Sequence, residues 1–183
     1  MFLRIVPVSN VPKGILENVR NEVENNLNIK CRIMPNLPIP DDSFNRWRKQ
    51  YNAEVILSNL SKNSSVKFID KNILTIMITD VDIYYGRLNF VFGLEDPSTN
   101  SSIVSITRLR PEFYDEKPNM NLLSERAVKE VSHEIGHYLG LRHCPNTICV
   151  MCFSPSAGDI DAKQKYFCDN CKITLMTRGI RVG

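Results

Sequence analysis

The residues His133-Glu134-Ile135-Gly136-His137-Tyr138-Leu139-Gly140-Leu141-Arg142-His143 carry the side chains needed for metal-assisted hydrolysis. Histidines four residues apart lie on one helical face, about one turn apart, so both rings can reach a single metal ion. Glu134 follows His133 by about 100° around the helix axis, within reach of a water on that metal without being a ligand. Tetrahedral zinc needs splayed ligands, so the third should not come from the same straight helix. Gly140 meets that need: a glycine can adopt the left-handed conformation that ends a helix and carries His143 back towards the metal. Three histidines and one water leave an open position, as in a catalytic zinc site.

A bare pair of histidines at this spacing could be no more than a solvated helix face. Here the chain has three histidines, and all three fall on ligand positions of the longer pattern, a known zinc-protease signature. Val128, Val131, Ile135 and Leu139 form a stripe roughly opposite the histidines, so one helix face reads as core and the other can line a cleft.

Cys144 adjoins His143, and Cys149, Met151, Cys168 and Cys171 follow in that order. The pattern resembles the archaemetzincins, metzincin-clan metalloproteases with a second, structural zinc; the resemblance in motif spans Glu130 to about Cys171. It implies a mixed α/β fold: a metzincin-like twisted sheet, a long active-site helix and a small zinc-stabilised C-terminal subdomain. It also implies a zinc metallopeptidase that hydrolyses peptide bonds through a zinc-bound water, with Glu134 as general base. His133, His137 and His143 would hold the catalytic zinc, and Cys144, Cys149, Cys168 and Cys171 the structural one. Met151 would be the Met-turn methionine. Some metzincins carry a tyrosine two residues after that methionine that assists the oxyanion; here the position is Phe153, which has no hydroxyl.

Read from the residues alone, the four cysteines leave two disulfides or plain buried thiols open beside a four-thiolate zinc site. Reducing conditions favour metal, and closed sites of four thiolates are typically structural. A zinc on Cys144 would fasten the segment after His143, which has few core-forming residues before Ile160, and so set catalytic geometry indirectly. Cys31 and Cys152 read as core thiols.

The 183 residues, 43% of them hydrophobic, suffice for one catalytic domain, divided as an N-terminal subdomain 1–141 and a C-terminal subdomain 142–183. A formal net charge of +3, spread along the chain, argues against nucleic acid and membrane as partners. The opening residues do not read as a secretion signal and no apolar run reaches the length of a membrane span, so a cytoplasmic monomer acting on peptides or proteins is expected. Two other classes compete. One is a zinc-binding protein-interaction module with little or no turnover, which would not need Glu134. The other is a nucleic-acid or protein adaptor using the basic tail from Lys172 to Arg181, which would not need an open three-histidine site.

The elements that must position these groups follow from periodicity. Strands are predicted at Phe2–Val8, Lys30–Met34, Ile73–Thr79, Leu88–Gly93 and Ser102–Leu109. Helices are predicted from Pro12 to Leu27, from Ala53 to Leu60, from an Asn119 or Asn121 cap to Leu139, and from Asp161 to Met176. Arg46 to Tyr51 reads as a helix with a wet face and one buried ring, and Asp80 and Asp82 as a turn. By resemblance, one of the strands at 88–93 and 102–109 should border the cleft and pair with substrate.

Overall fold

The computed structural model describes residues 1–62 and 73–180. The chain begins with strand β1 (Phe2–Val8), helix α1 (Lys13–Leu27) and strand β2 (Lys30–Ile33). A hairpin of β3 (Phe44–Asn45) and β4 (Gln50–Asn52) follows, then α2 (Ala53–Ser61), β5 (Ile73–Thr79) and β6 (Ile83–Tyr84). Strands β7 (Gly93–Asp96) and β8 (Ser101–Ser105) lead to the long helix α3 (Met120–Tyr138) and the short helices α4 (Ala157–Ala162) and α5 (Asp169–Thr177).

The main sheet has the order β2-β1-β5-β8-β7, parallel except for the antiparallel edge strand β7. Parallel strands covered on both faces need apolar residues at consecutive positions, and these strands supply them. Ile5, Ile76, Ile78 and Val104 point to one face, where α1 and α3 pack. Val6, Met77 and Ile103 point to the other, where Ile56, Leu57 and Leu60 of α2 pack. The expected stripe on α3 is fully part of this core: Val128, Val131, Ile135 and Leu139 are all buried.

Four predicted elements differ. Arg46–Lys49 is a turn rather than a helix, because the Asn45 side chain accepts from the backbone N–H groups of Trp47 and Arg48. Its tryptophan is 99% exposed, not a buried ring. The predicted strand loses its first residues, because side chains take their carbonyls: Arg48 donates to Leu88 and Asn89, and Gln50 to Asn89, while Val91 and Phe92 make single backbone bonds to Ile83 and Ser105. The edge strand therefore begins at Gly93. After Ser105 the chain turns into a short 3₁₀ segment at Thr107–Leu109, where Ser105 Oγ accepts from the Thr107 N–H. The predicted final helix is two helices: a capping box between Ser156 and Asp159 starts α4 early, and α5 begins afresh with Cys168 at its N-cap. Asp80 and Asp82 do lie at a turn, with Asp82 held by Arg108. Of the basic tail, Arg181 lies outside the described residues. No described helix is long and apolar enough to cross a membrane.

Candidate metal centre

Helix α3 starts where Asn119 accepts a hydrogen bond from the Leu122 N–H at 3.0 Å, and it is buried along most of its length. It ends as the sequence requires. Gly140 has φ +84°, its N–H bonds the His137 carbonyl at 2.7 Å, and the Leu141 N–H bonds the Gly136 carbonyl at 2.9 Å. These two bonds form a Schellman motif. A Cβ at Gly140 would also strike the Arg178 guanidinium, which donates to the Leu139 carbonyl from the neighbouring helix α5. The turned chain brings His143 back over the helix.

The ligand atoms available from His133, His137 and His143 all lie within 4.8 Å of one another. The Nε2 atoms of His133 and His137 are 3.0 Å apart. Each ring is oriented from behind: His133 Nδ1 donates to the Val150 carbonyl at 2.8 Å, and His137 Nδ1 to the Leu141 carbonyl at 3.0 Å. With their N–H groups turned outward, both Nε2 lone pairs converge, which is unfavourable unless a cation sits between them. A proton is a poor candidate. Burial, followed by the nearby Lys163 charge, pushes the His133 pKa down to about 3. A zinc ion at the ordinary bond length of about 2.0 Å fits this converging set.

Glu134 is buried beside the histidines. Burial first, then the charges of Glu130 and Glu95, raises its pKa well above the carboxylate range, against an opposing pull from Lys163. The backbone of Gly93, the first residue of β7, runs against the Glu134 carboxylate so closely that a Cβ there would overlap it. Met151 lies under the helix against Gly136, where a Cβ would strike its sulfur. Phe153 is 61% exposed and stacks beside His143, with ring centroids 5.1 Å apart.

The three histidines, Glu134, Gly93 and Phe153 line a cleft of about 580 Å³ that also includes Glu95 on β7, Ser154 and Pro155. A larger hollow of about 780 Å³ lies between α1 and the far side of α3, but it holds none of the histidines. Lys163 borders both. Its ammonium pairs with Glu130 at 2.9 Å, and both side chains are almost wholly buried. Neither Lys163 nor Glu95 carries a sequence signal. Glu130 sits one turn before Glu134, and that spacing could have suggested it faces the cleft.

The four cysteines named from the sequence also come together. Cys144 and Cys168 have sulfurs 3.7 Å apart, and Cys149 and Cys171 have sulfurs 3.8 Å apart. A disulfide needs about 2.05 Å. Tetrahedral zinc with bonds of about 2.3 Å sets its sulfurs about 3.8 Å apart, so the spacing fits zinc. Burial raises the Cys149 thiol, and the Cys168 N–H, which donates to Cys149 Sγ, opposes that. Cys31 is half-buried against the core, and burial pushes its thiol up to about 12. Cys152 is a correction: it is half-exposed beside Phe153 rather than a core thiol, and it lies outside the cluster.

A twisted mixed sheet carrying a three-histidine cluster beside a buried glutamate, with a four-cysteine cluster alongside, defines a zinc metallopeptidase of the metzincin type. The comparisons agree. Residues 8–177 match the model of peptidase family M54. The chain is 39% identical over its full length to archaemetzincin of Methanocaldococcus jannaschii, covering 97% of that protein. It is 40% identical to archaemetzincin of Pyrococcus furiosus, with 95% of this chain and 92% of that one covered. Among solved structures, a zinc-dependent peptidase from Methanocorpusculum labreanum superposes with a TM-score of 0.85 at 32% identity, covering 94% of this chain and 99% of that one. Archaemetzincin from Archaeoglobus fulgidus, solved with malonate, gives 0.78 at 34% identity, with 93% and 98% covered. The chain belongs to peptidase family M54, whose curated relatives here are archaemetzincins.

Proposed function

We propose that this chain hydrolyses peptide bonds at a catalytic zinc held by His133, His137 and His143, with Glu134 as general base. Cys144, Cys149, Cys168 and Cys171 hold a second, structural zinc that fastens the segment after His143 to the start of helix α5, within the C-terminal subdomain 142–183 that follows subdomain 1–141. The observation that carries this reading is the convergence of the His133 and His137 Nε2 atoms, 3.0 Å apart, with an enclosed carboxylate beside them.

When bound there, zinc polarises a carbonyl and acidifies water towards a pKa of about 7. Glu134 takes the proton from the attacking water and passes it to the leaving amine, a task suited to a carboxylate whose proton affinity is raised by burial. The free edge of β7 receives the substrate backbone as an added strand, gripping it without reading its side chains. Phe153 offers no hydroxyl, and its ring forms part of the wall beside His143. We further propose that the chain works as a cytoplasmic monomer, with no nucleic acid among its partners.

An interaction module without turnover would have no use for Glu134. An enclosed carboxylate near two others costs stability and serves no purpose unless it handles protons. The test is metal removal. A chelator should abolish cleavage of peptides by the purified protein, and added zinc should restore it. Undiminished cleavage after complete removal of zinc would reject the reading.

A further inference from the structure

The β3–β4 hairpin places a large apolar side chain where water alone touches it, and it does so on a firmly held turn. Trp47 is 99% exposed. Its backbone N–H and that of Arg48 are fixed by Asn45 Oδ1 at 3.1 and 3.2 Å, and Asn45 Nδ2 in turn donates to the Tyr84 hydroxyl at 3.1 Å. The Arg48 guanidinium lies 4.2 Å from the centroid of the Tyr84 ring and donates to the carbonyls of Leu88 and Asn89 at 2.6 and 3.1 Å. Leu88 and Asn89 belong to the rim of the metal-centre cleft, as does Tyr85. The hairpin is thus braced directly on that rim.

Trp47, Phe44, Tyr85 and Leu88 are all large, exposed hydrophobic residues on the hairpin and rim. Arg46 adjoins Trp47, Lys49 ends the same turn and Arg87 adjoins Leu88; all three are exposed and have no ion pair among the described residues. Of the acidic groups near the hairpin, Asp82 is paired with Arg108, while the exposed Asp41 and Asp42 precede β3 without an ion pair among the described residues, Asp42 held by the Asn59 amide. The turn Arg46–Lys49 and the rim at Arg87 therefore carry three cations without an ion pair beside exposed apolar side chains, and Tyr85 and Leu88 continue that surface into the cleft. Tryptophan and arginine are the residues that most often anchor protein interfaces, and fixed, uncompensated charge selects an opposite partner.

We propose that Trp47, Leu88 and Tyr85, flanked by Arg46, Lys49 and Arg87, form an accessory docking surface for an acidic, leucine-containing segment of the polypeptide being cleaved. The proposal rests on the peptidase reading, which it deepens by naming a substrate class: chains with acidic, apolar-interspersed sequence some distance from the cut. Binding here raises the local concentration of the scissile segment at the cleft, so it lowers KM without altering the chemistry.

Trp47 is the one tryptophan of the chain, which makes its emission a report on this surface alone. The zinc-loaded Glu134→Ala variant is titrated with a synthetic polypeptide of repeated Glu-Leu-Glu-Gly, which has no aromatic group. A saturable blue shift, lost at about 1 M salt where charges are screened within about 3 Å, is expected. The exposed double change Arg46→Glu with Arg87→Glu should weaken binding about tenfold or more. In the parent enzyme, fusing the acidic repeat to a cleavable peptide should lower KM and leave kcat unchanged. No shift with the acidic repeat, or an equal shift with Lys-Leu-Lys-Gly repeats, overturns the proposal. So does a shift produced only by anionic phospholipid vesicles, which would assign the surface to a membrane. The emission readout needs no turnover, so an inactive protein that still binds the acidic repeat counts against the peptidase reading and not against docking.

Discussion

His133 donates from Nδ1 to the carbonyl of Val150 at 2.8 Å, and Val150 stands between Cys149 and Met151. The ring that offers Nε2 to the catalytic site is therefore held by a peptide group attached to a member of the four-cysteine cluster. A second link runs through His143, which is followed directly by Cys144, whose N–H bonds the Met151 carbonyl at 2.9 Å. Two of the three histidines are thus tied to the cysteine cluster through the backbone. This gives physical content to the expectation that the second zinc sets catalytic geometry.

Cys168→Ser should release the zinc of the four-thiolate set and reduce turnover about ten- to a hundredfold, the usual scale for losing an outer partner of a metal ligand. Zinc content and kcat are measured together. Unchanged values for both would break the link between the clusters.

Gly93→Ala places a methyl group where the Glu134 carboxylate now lies. The backbone at Gly93 needs no left-handed conformation, so the strand should survive and the glutamate should move. A displacement of about 1 Å at a catalytic group can cost about a hundredfold in rate. The expected result is a fall in kcat of that order with near-normal thermal stability; full activity would show that Glu134 is not the proton carrier.

Why some of the site was legible and some was not follows from what each part depends on. His133, Glu134 and His137 share one helix, so a 3.6-residue period places them, and Gly140 announces the turn that returns His143. Spacing and resemblance mark the four cysteines, and their sulfurs meet. Lys163 could not be read, because its burial depends on how the segment between α4 and α5 folds against α3. Local composition around Trp47 resembles a helix, whereas the Asn45 side chain and the Arg48 contacts to Leu88 and Asn89 decide the shape of the hairpin. The strand predicted at 88–93 loses its start for the same reason: side chains from the hairpin take the Leu88 and Asn89 carbonyls.

Lys163→Met should destabilise the fold by about 3–5 kcal/mol, because it strands the Glu130 charge in a buried site. Replacing both partners, as Glu130→Leu with Lys163→Met, should recover most of that loss. Urea unfolding of the two variants checks this. A double variant no more stable than the single one would mean that the pair matters for packing and not for charge.

The central claim is that Glu134 moves protons at a three-histidine zinc site that cleaves peptide bonds. Its most direct test is a mixed peptide library digested by the parent and by its Glu134→Ala variant, both with zinc content verified, and read by mass spectrometry. The account predicts cleavage by the parent and none by the variant. Equal cleavage by both, or silence from a zinc-loaded parent, would contradict it.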